Sequence, residues 1–185
     1  MKQGLLALCV TVFVCSAALA ADDVRYTTGL EKGGEAFIHI DYHPTPYAEG
    51  KTFESMRSGE MDEKYLPNFN GGERFGKAAH LTTAADIHIG EIAVPKGEYD
   101  AGLNVDTDGN FTFVVWMGEG DEAKAHATPV ELKKHEEAHF PSLGMFLMPA
   151  GEEEGSHLLV AYGNYFTSIP VSEGGAAKPG SDSAK

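Results

Sequence analysis

The stretch Ala85–Trp116, ADIHIGEIAVPKGEYDAGLNVDTDGNFTFVVW, decides the fold class. Its centre alternates strictly. Tyr99, Ala101, Leu103 and Val105 share one parity, and Asp100, Gly102, Asn104 and Asp106 share the other. A period of two puts the first set on a buried face and the second in water. Pro95-Lys96-Gly97 is a turn, because proline pre-sets φ and glycine permits a positive one. Asp108-Gly109, within Asp106–Asn110, is a hairpin signal. Phe111–Trp116 then returns apolar on both faces, as a central strand does.

The same pattern continues on both sides. In Ala36–His43, Ile38, Ile40 and Tyr42 point one way and His39, Asp41 and His43 the other, until Pro44 and Pro46 stop the strand. Ala79–Thr83, Asp86–Ile89 and Ile92–Val94 read as short strands of a meander, and Thr128–Lys134 alternates weakly. Leu143–Met148 is an apolar run between Pro141 and Pro149, and its shortness makes it a buried strand sooner than a helix. His157–Tyr162 and Tyr165–Val171 form a last hairpin around Gly163-Asn164. Roughly nine short strands with turns at this spacing predict an all-β fold, an antiparallel β-sandwich or barrel-like sandwich.

Residues 1–20 read as a signal peptide. Lys2 supplies the positive end, Leu5–Val14 the apolar core, and Ala18-Leu19-Ala20 the small-residue cleavage pattern. The expectation is an exported protein, periplasmic or extracellular, with one domain over residues 21–171 and a disordered tail over 172–185. No later apolar run approaches the ~20 residues that span a bilayer. Both cysteines, Cys9 and Cys15, fall in the leader, so the mature chain is expected to hold itself together by its apolar core without disulfides.

The chain carries 28 acidic against 14 basic residues, a net charge of −14. Such a surface repels phosphate backbones and anionic membranes and excludes nucleic acid as a partner. Solubility is the plain account of the charge; cation binding is the sharper one.

Three segments resemble the exported bacterial family catalogued as domain of unknown function 2911. AFIHIDYHPTPYAEGKTF (36–53) is similar to its early strand, and ADIHIGEIAVPKGEY (85–99) to its central Pro-x-Gly-x-Tyr signature, here Pro95, Gly97 and Tyr99. PVELKK (129–134) through SHLLVAYGNYFTSIPV (156–171) is similar to its closing block. The family's Trp-Arg-x-Gly-Ala-Asn-Glu stretch falls at GGERFGKAAH, where Arg74 and Gly76 match but Trp, Asn and Glu are missing. The resemblance implies the fold and export, and no established activity.

Two regions are candidates for function. On a strand, His39, Asp41 and His43 stand on one face about 6.5–7 Å apart. Imidazole and carboxylate suit Zn or Cu(II), and a neighbouring strand could complete the shell with His88, beside Asp86, or with His80. The plainer reading of the same residues is the solvated face of an antiparallel strand. The second region, Tyr47–Lys77, is a long irregular segment with scattered aromatics and room for helical turns at Phe53–Met56 and Asp62–Leu66. Such segments often carry function, and Phe69, Arg74 and Phe75 are its ligand-surface candidates.

Other patterns have plainer explanations. Asp106-x-Asp108-x-Asn110 opens like a calcium loop but lacks the closing glutamate and fits a hairpin turn. His135 and His139 lack the Glu of a His-Glu-x-x-His motif. Met117, Met145 and Met148 read as core filler, and no nucleophile elbow or phosphate loop occurs. The function expected is a non-catalytic binding or accessory module of the periplasm or cell envelope. It would be a monomer, with a small molecule or an envelope protein as partner. The alternative is a Zn- or Cu-binding periplasmic protein, or a metal-dependent enzyme, built on His-x-Asp-x-His.

Overall fold

A computed structural model describes residues 24–47, 51–149 and 155–174. The leader, both cysteines and the chain beyond Gly174 lie outside the described residues.

Two antiparallel sheets pack face to face. The strands are β1 (Tyr26–Lys32), β2 (Glu35–Tyr42), β3 (Ala79–Thr83), β4 (Ile87–Ile89), β5 (Ile92–Val94), β6 (Gly97–Val105) and β7 (Phe111–Met117). They continue with β8 (Lys124–Val130), β9 (Lys133–Lys134), β10 (Phe140–Met148), β11 (Ser156–Gly163) and β12 (Tyr165–Glu173). The first sheet runs β1-β2-β3-β6-β7-β8 and the second β10-β11-β12-β4-β5, with β9 also on β12. The expected sandwich is present. Among the described residues, no strand ladder joins the two sheets into a barrel.

The deciding stretch behaves differently from the single meander expected. Its first half, the β4–β5 hairpin, belongs to the second sheet, and its second half, β6–β7, belongs to the first. Short side-chain bonds make the crossings. Thr83 Oγ1 donates to the Ala85 carbonyl at 2.7 Å as the chain leaves the first sheet. On the way back, Asp86 Oδ1 accepts the Lys96 N–H at 2.8 Å. At the Gly90-Glu91 turn Gly90 has φ +58°, a conformation glycine tolerates without strain. Thr128, buried on β8, accepts the Glu91 N–H at 3.2 Å and pins this corner to the other sheet.

The core follows the alternation. Ile38, Ile40, Leu81, Leu103, Phe113 and Val115 of the first sheet meet Ile87, Ile89, Met145, Leu158, Val160 and Ile169 of the second. Burial of such side chains contributes roughly 1.5–3 kcal/mol each and holds together the described residues, which contain no cysteine. Three boundaries moved furthest. β8 begins at Lys124, ahead of the expected Thr128; β10 begins at Phe140 and runs through Pro141, which was expected to bound it; and β12 runs on through Glu173, where Ser172 pairs with His88 and Glu173 with Ile87.

Gly102 lies on the outward parity yet is buried, because the segment before β3 crosses it. A Cβ at Gly102 would sit 2.0 Å from the Phe75 carbonyl oxygen. Val114, next to it across the ladder, is 1% exposed under the same cover.

Candidate functional site

The segment Tyr47–Lys77 folds into α1 (Lys51–Arg57), a 3-10 turn (Glu63–Tyr65) and α2 (Leu66–Asn70). Helix α1 closes one end of the sandwich by inserting Phe53 and Met56, both 2% exposed. Phe53 sits in an aromatic cluster, with ring centroids 5.0 Å from Tyr162, 5.5 Å from Tyr165 and 5.5 Å from Phe111. Tyr47 packs edge-on against Tyr162 at 5.0 Å. Tyr162 donates its hydroxyl to the Pro46 carbonyl at 2.8 Å, and burial pushes that hydroxyl up to about 12. A phenol this well enclosed is a structural group at neutral pH.

Next to this plug lies a concavity of about 610 Å³ lined by Arg57, Gly109, Asn110, Phe111 and Pro129–Leu132. A smaller hollow of about 210 Å³ adjoins it through Pro129, Val130 and Glu131 and runs on to Gly90. The cation at the rim is held in place. Arg57 donates Nε and Nη2 to Glu54 Oε2 at 3.0 and 2.9 Å, and its guanidinium stacks 5.1 Å from the Tyr165 ring centroid. The Glu54 bond is the main reason the Arg57 guanidinium is held even more firmly protonated than usual. Burial, with the Glu54 carboxylate second, pushes the Tyr165 hydroxyl up as well. Nη1 of Arg57 is not committed to Glu54. Opposite, Asp106 accepts N–H groups of Asp108 and Asn110 and the Asn110 side-chain amide at 2.8–2.9 Å, which fixes the β6–β7 hairpin. Those bonds are made to a hairpin loop and account for the calcium-like letters. The wall offers apolar surface from Val130, Leu132 and Pro129 beside the Arg57 guanidinium, the Glu131 carboxylate and the Asn110 amide, a mix of apolar surface and few polar groups that suits a small-molecule seat.

The ligand-surface candidates fall elsewhere. Phe75 is 4% exposed and points into the core, with its centroid 5.8 Å from Tyr162. Phe69 is half-buried and packs edge-on against Phe75 at 6.0 Å. Both aromatics anchor the irregular segment to the core. Arg74 is exposed, and its carbonyl accepts the Thr45 hydroxyl at 2.7 Å.

His39 and Asp41 do share the outward face of β2, with Nε2 of His39 3.3 Å from Asp41 Oδ2. Thr27 donates its hydroxyl to the same carboxylate. At the strand end, Nη1 of Arg25 lies 3.2 Å from His43 Nε2; a guanidinium only donates, so this nitrogen accepts. The neighbour that reaches this face is His80, directly opposite Asp41, with Glu98 at 3.7 Å and Asp100 at 3.9 Å. His88 does not reach it. It stands on β4 of the other sheet between Ser172 and Ala93, and its Nδ1 is buried without a hydrogen-bond partner. The proposed shell of His39, Asp41, His43 and His88 is therefore divided between two sheets, because the chain changes sheet between β3 and β4. Among the described residues, no group of three or more His, Asp, Glu or Cys side chains is arranged to hold a metal ion.

His135 and His139 are turn residues. His135 Nδ1 accepts the N–H groups of Glu137 and Ala138 at 3.2 and 3.1 Å, and Asn164 Oδ1 lies 2.9 Å from His139 Nδ1. Sequence reading missed Arg57, Asn110 and the Val130–Leu132 wall. The weak alternation of Thr128–Lys134 was the one trace of a half-buried strand end there. Among the described residues no helix is long and apolar enough to cross a membrane. No family model, no curated protein and no solved structure matches this chain.

Proposed function

We propose that this chain is an exported binding module of the periplasm or cell envelope, seating a small amphipathic molecule beside α1. The observation that carries this reading is the concavity of about 610 Å³, lined by the fixed Arg57 guanidinium, Asn110 and the Pro129–Leu132 stretch, whose Val130 and Leu132 are apolar and whose Glu131 is charged. Its volume falls within the few hundred to a thousand Å³ usual for small-ligand sites. The leader-like residues 1–20 support export. The likeness to domain of unknown function 2911 rests on the three segments quoted above and supplies no ligand.

The test uses anilinonaphthalene sulfonate, an amphipathic anion with an apolar body. Saturable one-to-one binding that Arg57→Gln and Val130→Trp each weaken supports the reading. Absent binding, or binding indifferent to both changes, overturns it.

A second reading is favoured by one observation: Asp41 stands opposite His80 and 3.3 Å from His39. Zn or Cu(II) would take imidazole and carboxylate ligands from that outer face. Titration with each metal, followed by His39→Ala and His80→Ala, tests it. Loss of metal uptake in both variants supports it, and uptake unchanged in both rejects it.

A further inference from the structure

Strand β12 has a break in one of its two ladders. On the side away from β11 it pairs with β9 at Tyr165 and Phe166, and with β4 from Val171 to Glu173. Both neighbours run antiparallel to β12, so they lie in one line and one direction, and Ser168 and Ile169 face the interruption. The main chain is turned toward it. On this side the carbonyls of Asn164 and Pro170 accept the His135 and Gly90 N–H groups at 2.7 and 2.8 Å. The β12 register is unbroken between them and successive residues of a strand alternate, so the even-numbered Ser168 directs its N–H and C=O the same way. Among the described residues neither group has a partner. The smaller hollow, about 210 Å³, opens over this break. Lys133 and Glu131 line it, and among the described residues neither is ion-paired. Val130, Phe166 and Pro170 supply apolar wall.

We infer that this hollow binds a free α-amino acid with an apolar side chain. An amino acid laid in the line of β4 and β9 donates from its nitrogen to the Ser168 carbonyl and accepts the Ser168 N–H on its carboxylate. Those are the two bonds of an antiparallel residue pair. That direction carries the carboxylate toward Lys133, the first residue of β9, while Glu131 offers the ammonium a counter-charge. Charge selects the zwitterion. The carboxy-terminus of a peptide brings a carboxylate and no ammonium, which leaves Glu131 unanswered, and an amine leaves Lys133 unanswered. A zwitterion has no net charge, so the −14 of the chain does not repel it. Length selects a single residue, because β9 closes the line at one end and the turn at Gly90 closes it at the other. The side chain then meets Val130, Phe166 and Pro170. This ligand and this hollow are separate from the concavity beside Arg57, so the dye titration and the test below are read independently.

Titration of the isotope-labelled protein with L-leucine, followed by its amide resonances, tests this. The expected result is one saturable site with Kd about 1 mM or tighter, and the Ser168 amide among the largest shifts. N-acetyl-leucine and leucinamide each lack one charge and bind at least about threefold more weakly. Ser168→Pro removes the free N–H and leaves the β11 ladder intact, so binding falls at least about tenfold in a folded protein. Lys133→Gln and Glu131→Gln each weaken leucine at least about twofold and test the site without touching the strand. No saturable shift at Ser168 up to about 10 mM leucine overturns the proposal. So does leucine binding unchanged in Ser168→Pro, or unchanged in both Lys133→Gln and Glu131→Gln. N-acetyl-leucine binding as tightly as leucine also overturns it, and assigns the hollow to the carboxy-terminus of a peptide.

Discussion

The indole Nε1–H of Trp116 donates to the Gly76 carbonyl at 2.8 Å, tying a central strand to the segment that crosses its outer face. The Lys77 ammonium sits 4.8 Å above the same ring, adding a cation–π contact. Beneath, Phe75 gives its carbonyl to the Leu103 N–H at 3.0 Å. Trp116→Phe removes the donor and leaves a covered carbonyl, so it costs about 1–3 kcal/mol in urea unfolding. Gly102→Ala is no milder, at about 1–3 kcal/mol or more, because its methyl meets backbone that cannot rotate aside. Equal stability of Gly102→Ala and the parent would show that the segment does not press on the sheet.

Phe53 is the plug. It touches Tyr47, Phe111, Tyr162 and Tyr165, at centroid distances of 5.0–6.1 Å. Phe53→Ala should lower stability by about 3–5 kcal/mol, the range for emptying a buried aromatic site. The same variant should weaken dye binding next to Arg57, because α1 then loses its anchor.

Alkaline pH reads the same cluster. Burial holds Tyr162 protonated up to about 12 in the fold, whereas an unfolded tyrosine ionises near 10. Tyr42 is shifted the same way by burial. The raised value means the folded state keeps its proton while the unfolded state loses it. The stability contribution is whole below pH ~10 and is lost as pH rises toward ~12. Tyr162→Phe should flatten that loss. A parent and variant with parallel stability curves from pH 8 to 12 would contradict the burial.

Acid should loosen the β6–β7 hairpin. Bonds from Asn110 first, and from Asp108, hold the Asp106 carboxyl below its usual range. Its contribution is present above the ordinary aspartate range and disappears as pH falls through the lowered value. Asp106→Ala should cost about 1 kcal/mol at pH 7, the range of a capping side chain, and less at pH 2. Amide exchange of Asp108 and Asn110 measures it directly.

Local pattern carried the sandwich. The alternation of β6, the Asp-Gly hairpin and the proline stop after β2 each depend on neighbours a few residues away, whereas Pro141, expected to bound a strand, lies within β10. What the sequence hid depends on distant chain. Gly102 obeys the outward parity and is buried only because Phe75 and Gly76 arrive from elsewhere. Phe69 and Phe75 look like exposed loop aromatics until the segment is seen to fold over the sheet. His88 follows β3 closely in sequence, yet the crossing after Thr83 carries it to the other sheet. The concavity joins Arg57, residues 109–111 and residues 129–132, three stretches with no common motif. Its chemistry exists only once α1 closes the sandwich end.

The most direct test of the binding reading is dye titration of the parent protein beside Val130→Trp, which fills the concavity, and Ser168→Glu, which alters the far sheet face. One saturable site is expected, weakened at least about tenfold by Val130→Trp and unmoved by Ser168→Glu. A site lost with Ser168→Glu and kept with Val130→Trp would contradict it.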